Sequence, residues 1–240
     1  MAVWVLGLLL WACVPARAEK VAFKAADGVA LAAEWRAPRR GQPVFVLLHG
    51  LGAGRGEWRT FQARAAAAGW GTLAVDMRGH GESGGPRYDT FRTPAAWLAL
   101  EADARAAMDW LAKSRHVAPE RVALAGASLG ANIAARTAVD EPRSPLLVLL
   151  SPGWSYQGVT LPDAVAACGR PIVFAAAAED AYAFKSAQEA LRLAKRPESV
   201  FLRAAHGHGV GMLDGDANKA FADDLFRRLA ELLTPPSPGK

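Results

Sequence analysis

Cysteine is almost missing from this chain, whose 240 residues include only Cys13 and Cys168. Cys13 lies in a segment read below as removed, so Cys168 stands alone and no intrachain disulfide can form even in an oxidising compartment. Placed between Ala-Ala and "GRPIVF", Cys168 reads as buried packing rather than a reactive thiol. Metal-ligand clusters are missing too. Of five histidines, the one close pair, His206 and His208, has no further His or Cys nearby to complete a ligand set. Neither a metal nor a cofactor is expected. Runs of one charge are also absent: 28 basic and 23 acidic residues give a net charge of +5 but are interleaved along the chain. That pattern offers no track for phosphates and no polybasic patch, so nucleic acid is not expected as a partner.

Long apolar runs are equally scarce. One runs from Ala2 to Val14, about thirteen residues, short of the roughly 20 that cross a bilayer. It leads into Ala16-Arg17-Ala18, the small-x-small pattern of a signal-peptidase site. The expectation is a signal peptide over 1–18, cleavage before Glu19, and a secreted or periplasmic protein without stable membrane insertion. The competing readings are an uncleaved anchor and a lipid-modified Cys13 in "LWAC", where Trp11 fits poorly. One domain is expected over 19–233, with 234–240 as a frayed tail.

What is present is a repeating strand–helix pattern. Two alternating runs around Asp27-Gly28 read as a hairpin. "PVFVLLHG" (43–50) is a continuous apolar run, as expected of a strand buried on both faces, and "GTLAVDMRG", "RVALAGAS", "PLLVLLSPG", "RPIVFAAAAED" and "SVFLRAAHG" supply further short apolar strands. Helical patterns separate them, including a long amphipathic stretch around 93–114 and a last helix near 216–233. The fold class is therefore α/β: a mostly parallel central sheet of about eight strands flanked by helices and opened by an antiparallel hairpin.

Ligands of such sheets bind outside the carboxyl ends of the strands. The residues that end the strands here are polar: His49-Gly50, Asp76, Ser128, Ser151-Pro152, Asp180 and His206. Ser128 sits in Gly126-Ala127-Ser128-Leu129-Gly130, where flanking glycines allow a strand to turn abruptly into a helix with the hydroxyl exposed. A serine needs a base to become a nucleophile. His206 directly follows the last apolar run and is the favoured base, with His208 beyond Gly207 as the alternative. The imidazole needs an acceptor to set its tautomer, and Asp180, at the start of its loop, is favoured over Glu179. Developing negative charge needs fixed donors, expected from the backbone N–H groups of Leu129 and Leu51.

Together "HGLG", "DMRGHGES" (76–83), "GASLG", "ED" and "AHG" resemble the α/β-hydrolase superfamily over nearly all of residues 20–233. The resemblance implies that Asp76, Arg78 and His80 organise their loop rather than catalyse. About 20 residues, 152–170, separate the sixth strand run from the acid-bearing one, too few for a large lid. The chain is thus similar to the compact members, the dienelactone-hydrolase-like and small esterase groups. Dienelactone hydrolases use a cysteine nucleophile, so their substrate does not carry over. The expected activity is a serine carboxylesterase acting on small or short-chain esters through an acyl-enzyme. Trp154 and Tyr156 are candidate pocket walls, or ordinary packing. A thioesterase, amidase or acyltransferase would use the same triad, and a non-catalytic binding protein could keep the scaffold. Substrate identity and oligomeric state are not readable from the sequence.

Overall fold

A computed structural model describes residues 17–234 of the chain. Nearly all of the expected signal segment, Cys13, and most of the expected C-terminal tail lie outside the described residues.

The hairpin is β1 (Glu19–Lys24) against β2 (Ala30–Arg36), with Glu19 opposite Trp35 and Lys24 opposite Ala30. The other long strands are β3 (Val44–Leu48), β4 (Gly71–Val75), β5 (Val122–Ala127), β6 (Leu147–Leu150), β9 (Ile172–Ala177) and β10 (Val200–Ala204). They form one eight-stranded sheet in the order β1-β2-β4-β3-β5-β6-β9-β10. β2 meets β4 antiparallel, and every pair from β4 to β10 is parallel. Every residue of β3, β4, β5, β6 and β9 is buried, which explains why Thr72 of β4 is the one polar residue among them.

The side-chain period of two divides each strand between two cores. Val44, Val46 and Leu48 of β3 pack with Leu124, Leu149 and Phe174 beneath α3 (Leu100–Arg115), α4 (Leu129–Asp140) and α6 (Ala181–Leu191). Phe45 and Leu47 face the other way, toward Phe61 of α1 (Arg59–Ala68) and Leu225 and Leu229 of α7 (Lys219–Leu233). Each fully buried Leu or Phe contributes about 1.5–3 kcal/mol over leaving it exposed. The helical pattern expected around 93–114 is broken at Ala99 into α2 (Pro94–Leu98) and α3.

After β3 the chain moves to β4 on one side, then returns to place β5 on the other. This reversal puts the loops after β3 and β5 beside each other at the crevice that open α/β sheets use for ligands. The connection between β6 and β9 holds only a small hairpin, β7 (Ser155–Tyr156) with β8 (Val159–Thr160), and the short helix α5 (Pro162–Ala167). Among the described residues there is no large lid. Gln157 and Gly158 form the hairpin's two-residue turn, with φ of 54° and 80°, the left-handed pair that such a turn requires.

Candidate active site

Ser128 is the junction of β5 and α4, with φ 54° and ψ −122°. A non-glycine residue in such a conformation costs about 1–3 kcal/mol, and the surrounding structure must enforce it. Two glycines do so by letting backbone approach backbone. A Cβ on Gly126 would lie 2.1 Å from the Gly130 carbonyl oxygen. One on Gly130 would lie 2.3 Å and 2.4 Å from the carbonyl oxygens of Leu48 and His49. The turn is thereby packed against the end of β3, and the Leu129 N–H lies among the free donors of the first helical turn.

The loop after β3 is fixed from both sides of Gly50. Register places Leu48 opposite Gly126, which brings Gly50 level with Ser128. His49 is buried, and burial lowers its pKa to about 4, so the ring is neutral. Its Nε2 accepts the Met77 N–H at 3.0 Å, which leaves the proton on Nδ1, 2.8 Å from the Gly50 carbonyl oxygen. In a trans peptide the C=O and N–H point in opposite directions. The Leu51 N–H is therefore aimed away from the buried ring. On the other side of the residue, the Gly50 N–H donates to Glu57 Oε1 at 2.9 Å.

One expectation is corrected where the loops of Asp180 and His208 meet. Asp180, at the start of α6, lies 2.6 Å through Oδ2 from the Nδ1 of His208, not of His206. The last strand ends at Ala204, and the His206 backbone is tethered sideways: its N–H donates to Asn218 Oδ1 at 3.1 Å, and its carbonyl accepts from Asn218 Nδ2 at 3.2 Å. The His206 ring is left largely exposed, 3.7 Å from Glu179 Oε2. Gly207, at φ 95°, then turns the chain so that His208 reaches Asp180. Glu179 accepts the Gly207 N–H at 2.7 Å and so steadies that turn. Beyond His208, the Gly209 N–H donates to the buried Ser151 hydroxyl at 2.9 Å. A Cβ on Gly209 would lie 3.3 Å from Ala127 Cβ, so the loop closes directly on the serine turn.

The β7–β8 hairpin lies beside the Ser128 turn through Tyr156. Tyr156 reaches the Ser151 carbonyl with its hydroxyl at 3.3 Å, and burial, together with the Asp180 and Tyr182 charges, pushes the phenol up to about 12 despite a contact with Ser128. Trp154 is more exposed, 38% accessible, as are Leu51 at 43% and Tyr182 at 49%. Buried Asn132 of α4 secures the hairpin: its amide donates to the carbonyls of Gly153 (2.9 Å) and Val159 (2.7 Å) and accepts the Gly153 N–H (3.2 Å). The Tyr182 hydroxyl accepts from the Ser155 N–H and lies 2.9 Å from the Ser155 carbonyl. Sequence reading singled out neither Asn132 nor Glu57, since one polar residue in a helical pattern carries no local signal of its distant partners.

Compared with known proteins, residues 45–239 match the model of the alpha/beta hydrolase family. The chain belongs to the α/β-hydrolase family. A protein of Klebsiella pneumoniae (strain 342), provisionally named as the carbamate hydrolase RutD, is 35% identical over 118 residues, 49% of this chain and 40% of that one. The chain thus matches about two fifths of the length of that curated relative. Among solved structures, the Pyrococcus furiosus esterase Pf2001 superposes with a TM-score of 0.73 at 19% identity, covering 91% of this chain and 92% of that one. The dienelactone hydrolase of Anabaena variabilis gives 0.71 at 18% identity, covering 91% and 99%.

In this member of the family the "DMRGHGES" loop has a network of its own. The Asp76 carboxylate accepts the N–H groups of Arg55 (2.6 Å) and Glu82 (2.8 Å) and pairs with the Arg55 guanidinium. Gly81 must lack a side chain, since its Cβ would fall 2.1 Å from Asp76 Oδ2. Arg78 is bound to buried Asp103 at 2.7 Å. His80 stacks on Tyr88 at 4.3 Å, and burial lowers its pKa. These contacts turn Asp76, Arg78 and His80 into the loop rather than toward Ser128. Among the described residues no group of His, Cys, Asp and Glu is arranged to hold a metal ion, and no helix is long and apolar enough to cross a membrane.

Proposed function

We propose that the chain is a serine hydrolase of carboxylic esters, with Ser128 as nucleophile, His208 as base, Asp180 as its orienting acid, and the Leu51 and Leu129 N–H groups as oxyanion donors. The observation that carries this reading is the 2.6 Å Asp180–His208 bond on a loop that closes against the strained Ser128 turn. Asp180 holds the proton on Nδ1 and leaves Nε2 free to accept the serine proton. Ser128 Oγ attacks the ester carbonyl, and the oxyanion is received by the two N–H groups. His208 then protonates the departing alcohol, and water repeats the sequence on the acyl-enzyme. The relative named for carbamate hydrolysis supports chemistry of this kind.

Small or short-chain acyl groups are the proposed substrates, because the β6–β9 connection offers one hairpin and no cover for a long chain. Each methylene contributes about 0.8 kcal/mol only while it fits inside the pocket. The kcat/KM for p-nitrophenyl esters should rise over the first few carbons and then fall, and a maximum at sixteen carbons would refute the pocket. Ser128→Ala is expected to lower turnover by about 10³-fold or more and to abolish fluorophosphonate labelling while the fold persists. The chain is further proposed to be exported and cut before Glu19; N-terminal sequencing of protein from its native host tests this, and an intact Met1 or a lipidated Cys13 refutes it.

A further inference from the structure

Glu57 is a carboxylate beside the proposed machinery with no part in the triad. It lies in the 3-10 turn Arg55–Trp58 after the β3 loop and is half-buried. Oε1 holds the Gly50 N–H. Oε2 lies 3.9 Å from the point where a side chain on Gly50 would begin, and Ser128 Cβ lies 3.4 Å from the same point. The carboxylate and the serine thus flank one glycine. The same turn packs against the 3-10 segment Gly209–Leu213, which begins immediately after His208.

The charges around Glu57 single out one partner. Arg55, on its own turn, is engaged by Asp76 and Glu82. His49, behind Gly50, is neutral, and His80 is stacked on Tyr88. After burial and the Gly50 N–H, the charge that acts on the Glu57 carboxyl is that of His208, which directly precedes the segment packed against this turn. His208 in turn meets Asp180 from the α6 side, with Tyr156 beyond Asp180, while His206 and Glu179 face each other on the outer surface. Burial also raises the Glu57 carboxyl above the usual range, as expected of a group kept in a crevice without a permanent cation.

We propose that Glu57 is a positioning residue: its carboxylate fixes the His49–Gly50 peptide, and so the setting of Gly50 from which the next peptide offers the Leu51 N–H to the oxyanion, and it supports the His208 imidazolium as a second anion beside Asp180. This rests on the serine-hydrolase reading above. Both effects act when charge separates, as the serine proton moves to His208 and negative charge grows on the substrate oxygen. His49 holds the carbonyl of Gly50 and Glu57 its N–H, so the oxyanion donor needs no rearrangement during turnover.

Two substitutions separate the roles. Glu57→Gln keeps an acceptor for the Gly50 N–H but removes the charge; Glu57→Ala removes both. With Glu57 ionised, the imidazolium is favoured, so losing the charge makes His208 release its proton at lower pH. NMR titration of ring-labelled His208 and the acid limb of kcat/KM should both move down by about half a pH unit in Glu57→Gln, with KM within about twofold of wild type. Glu57→Ala should show the same shift and a further loss of about tenfold in kcat. A His208 titration and acid limb unmoved in both variants would overturn the proposal, even if both lost activity equally. Equal kcat in the two variants would overturn the peptide-locking role. A wild-type protein that neither reacts with fluorophosphonate nor cleaves esters would overturn the hydrolase reading and the positioning role with it, while the NMR titration would still report whether Glu57 and His208 are coupled.

Discussion

Two carboxylate–histidine pairs lie side by side across the same two loops, the acids adjacent in sequence and the histidines two residues apart. Asp180 and His208 meet at 2.6 Å, with the aspartate side chain only 17% exposed. Glu179 and His206 stand 3.7 Å apart, each about 60% exposed. Residue type hardly distinguishes the pairs; placement does. Asp180 begins α6 beneath the hairpin wall, and the Gly207 turn delivers His208 to it. Glu179 and His206 face solvent, where a pair of this kind contributes little. The inner pair is tied to the serine turn through Gly209, and the outer pair supports the bend that makes this possible.

The sharpest way to break the comparison is to remove each histidine in turn. His208→Ala is expected to lower kcat/KM by more than about 10³-fold, and His206→Ala to stay within about twofold of wild type. Steady-state kinetics on a short-chain ester checks both, and the reverse ranking would restore His206 as the base. Exchanging the acids gives the next largest contrast: Asp180→Asn should cost about 10²- to 10⁴-fold by disturbing the histidine tautomer, whereas Glu179→Gln, which keeps an acceptor for the Gly207 N–H, should cost about twofold at most. A smaller effect is expected from Ser151→Ala. It deprives the Gly209 N–H of its acceptor and loosens the base loop, with kcat falling about tenfold and KM almost unchanged. Unchanged kcat in this variant would show that the packing of Gly209 on Ala127 suffices to hold the loop.

Much of this arrangement is legible in the amino-acid order because it depends on local rules. Four of the five fully buried strands read as unbroken apolar runs, and the glycines beside Ser128 announce a backbone turn that side chains would block. The choice between His206 and His208 is not legible in that way. It depends on Asn218, twelve residues away from His206, which anchors the chain after β10, and on how far a left-handed Gly207 carries the next residue. Glu57 is hidden for a similar reason: its partner is a backbone N–H seven residues back, and a backbone donor has no signature in the sequence. The β7–β8 hairpin is only two residues per strand, too short for any alternation to register. Its stability comes from Asn132, Ser186 and Tyr182, all distant in sequence.

That hairpin has a use for engineering. Its anchors, Gly153 and Val159, lie on its two arms, and its exposed tip is only Gln157 and Gly158. A polypeptide spliced between those two residues would leave and re-enter through neighbouring strand ends about 5 Å apart, close enough for a small folded module whose own termini adjoin. The graft would start beside Pro94 of α2, against which Gly158 packs, and would alter no residue that positions the serine. A miniature wall could thus become a cap, and substrate range could be changed by exchanging modules at a single joint.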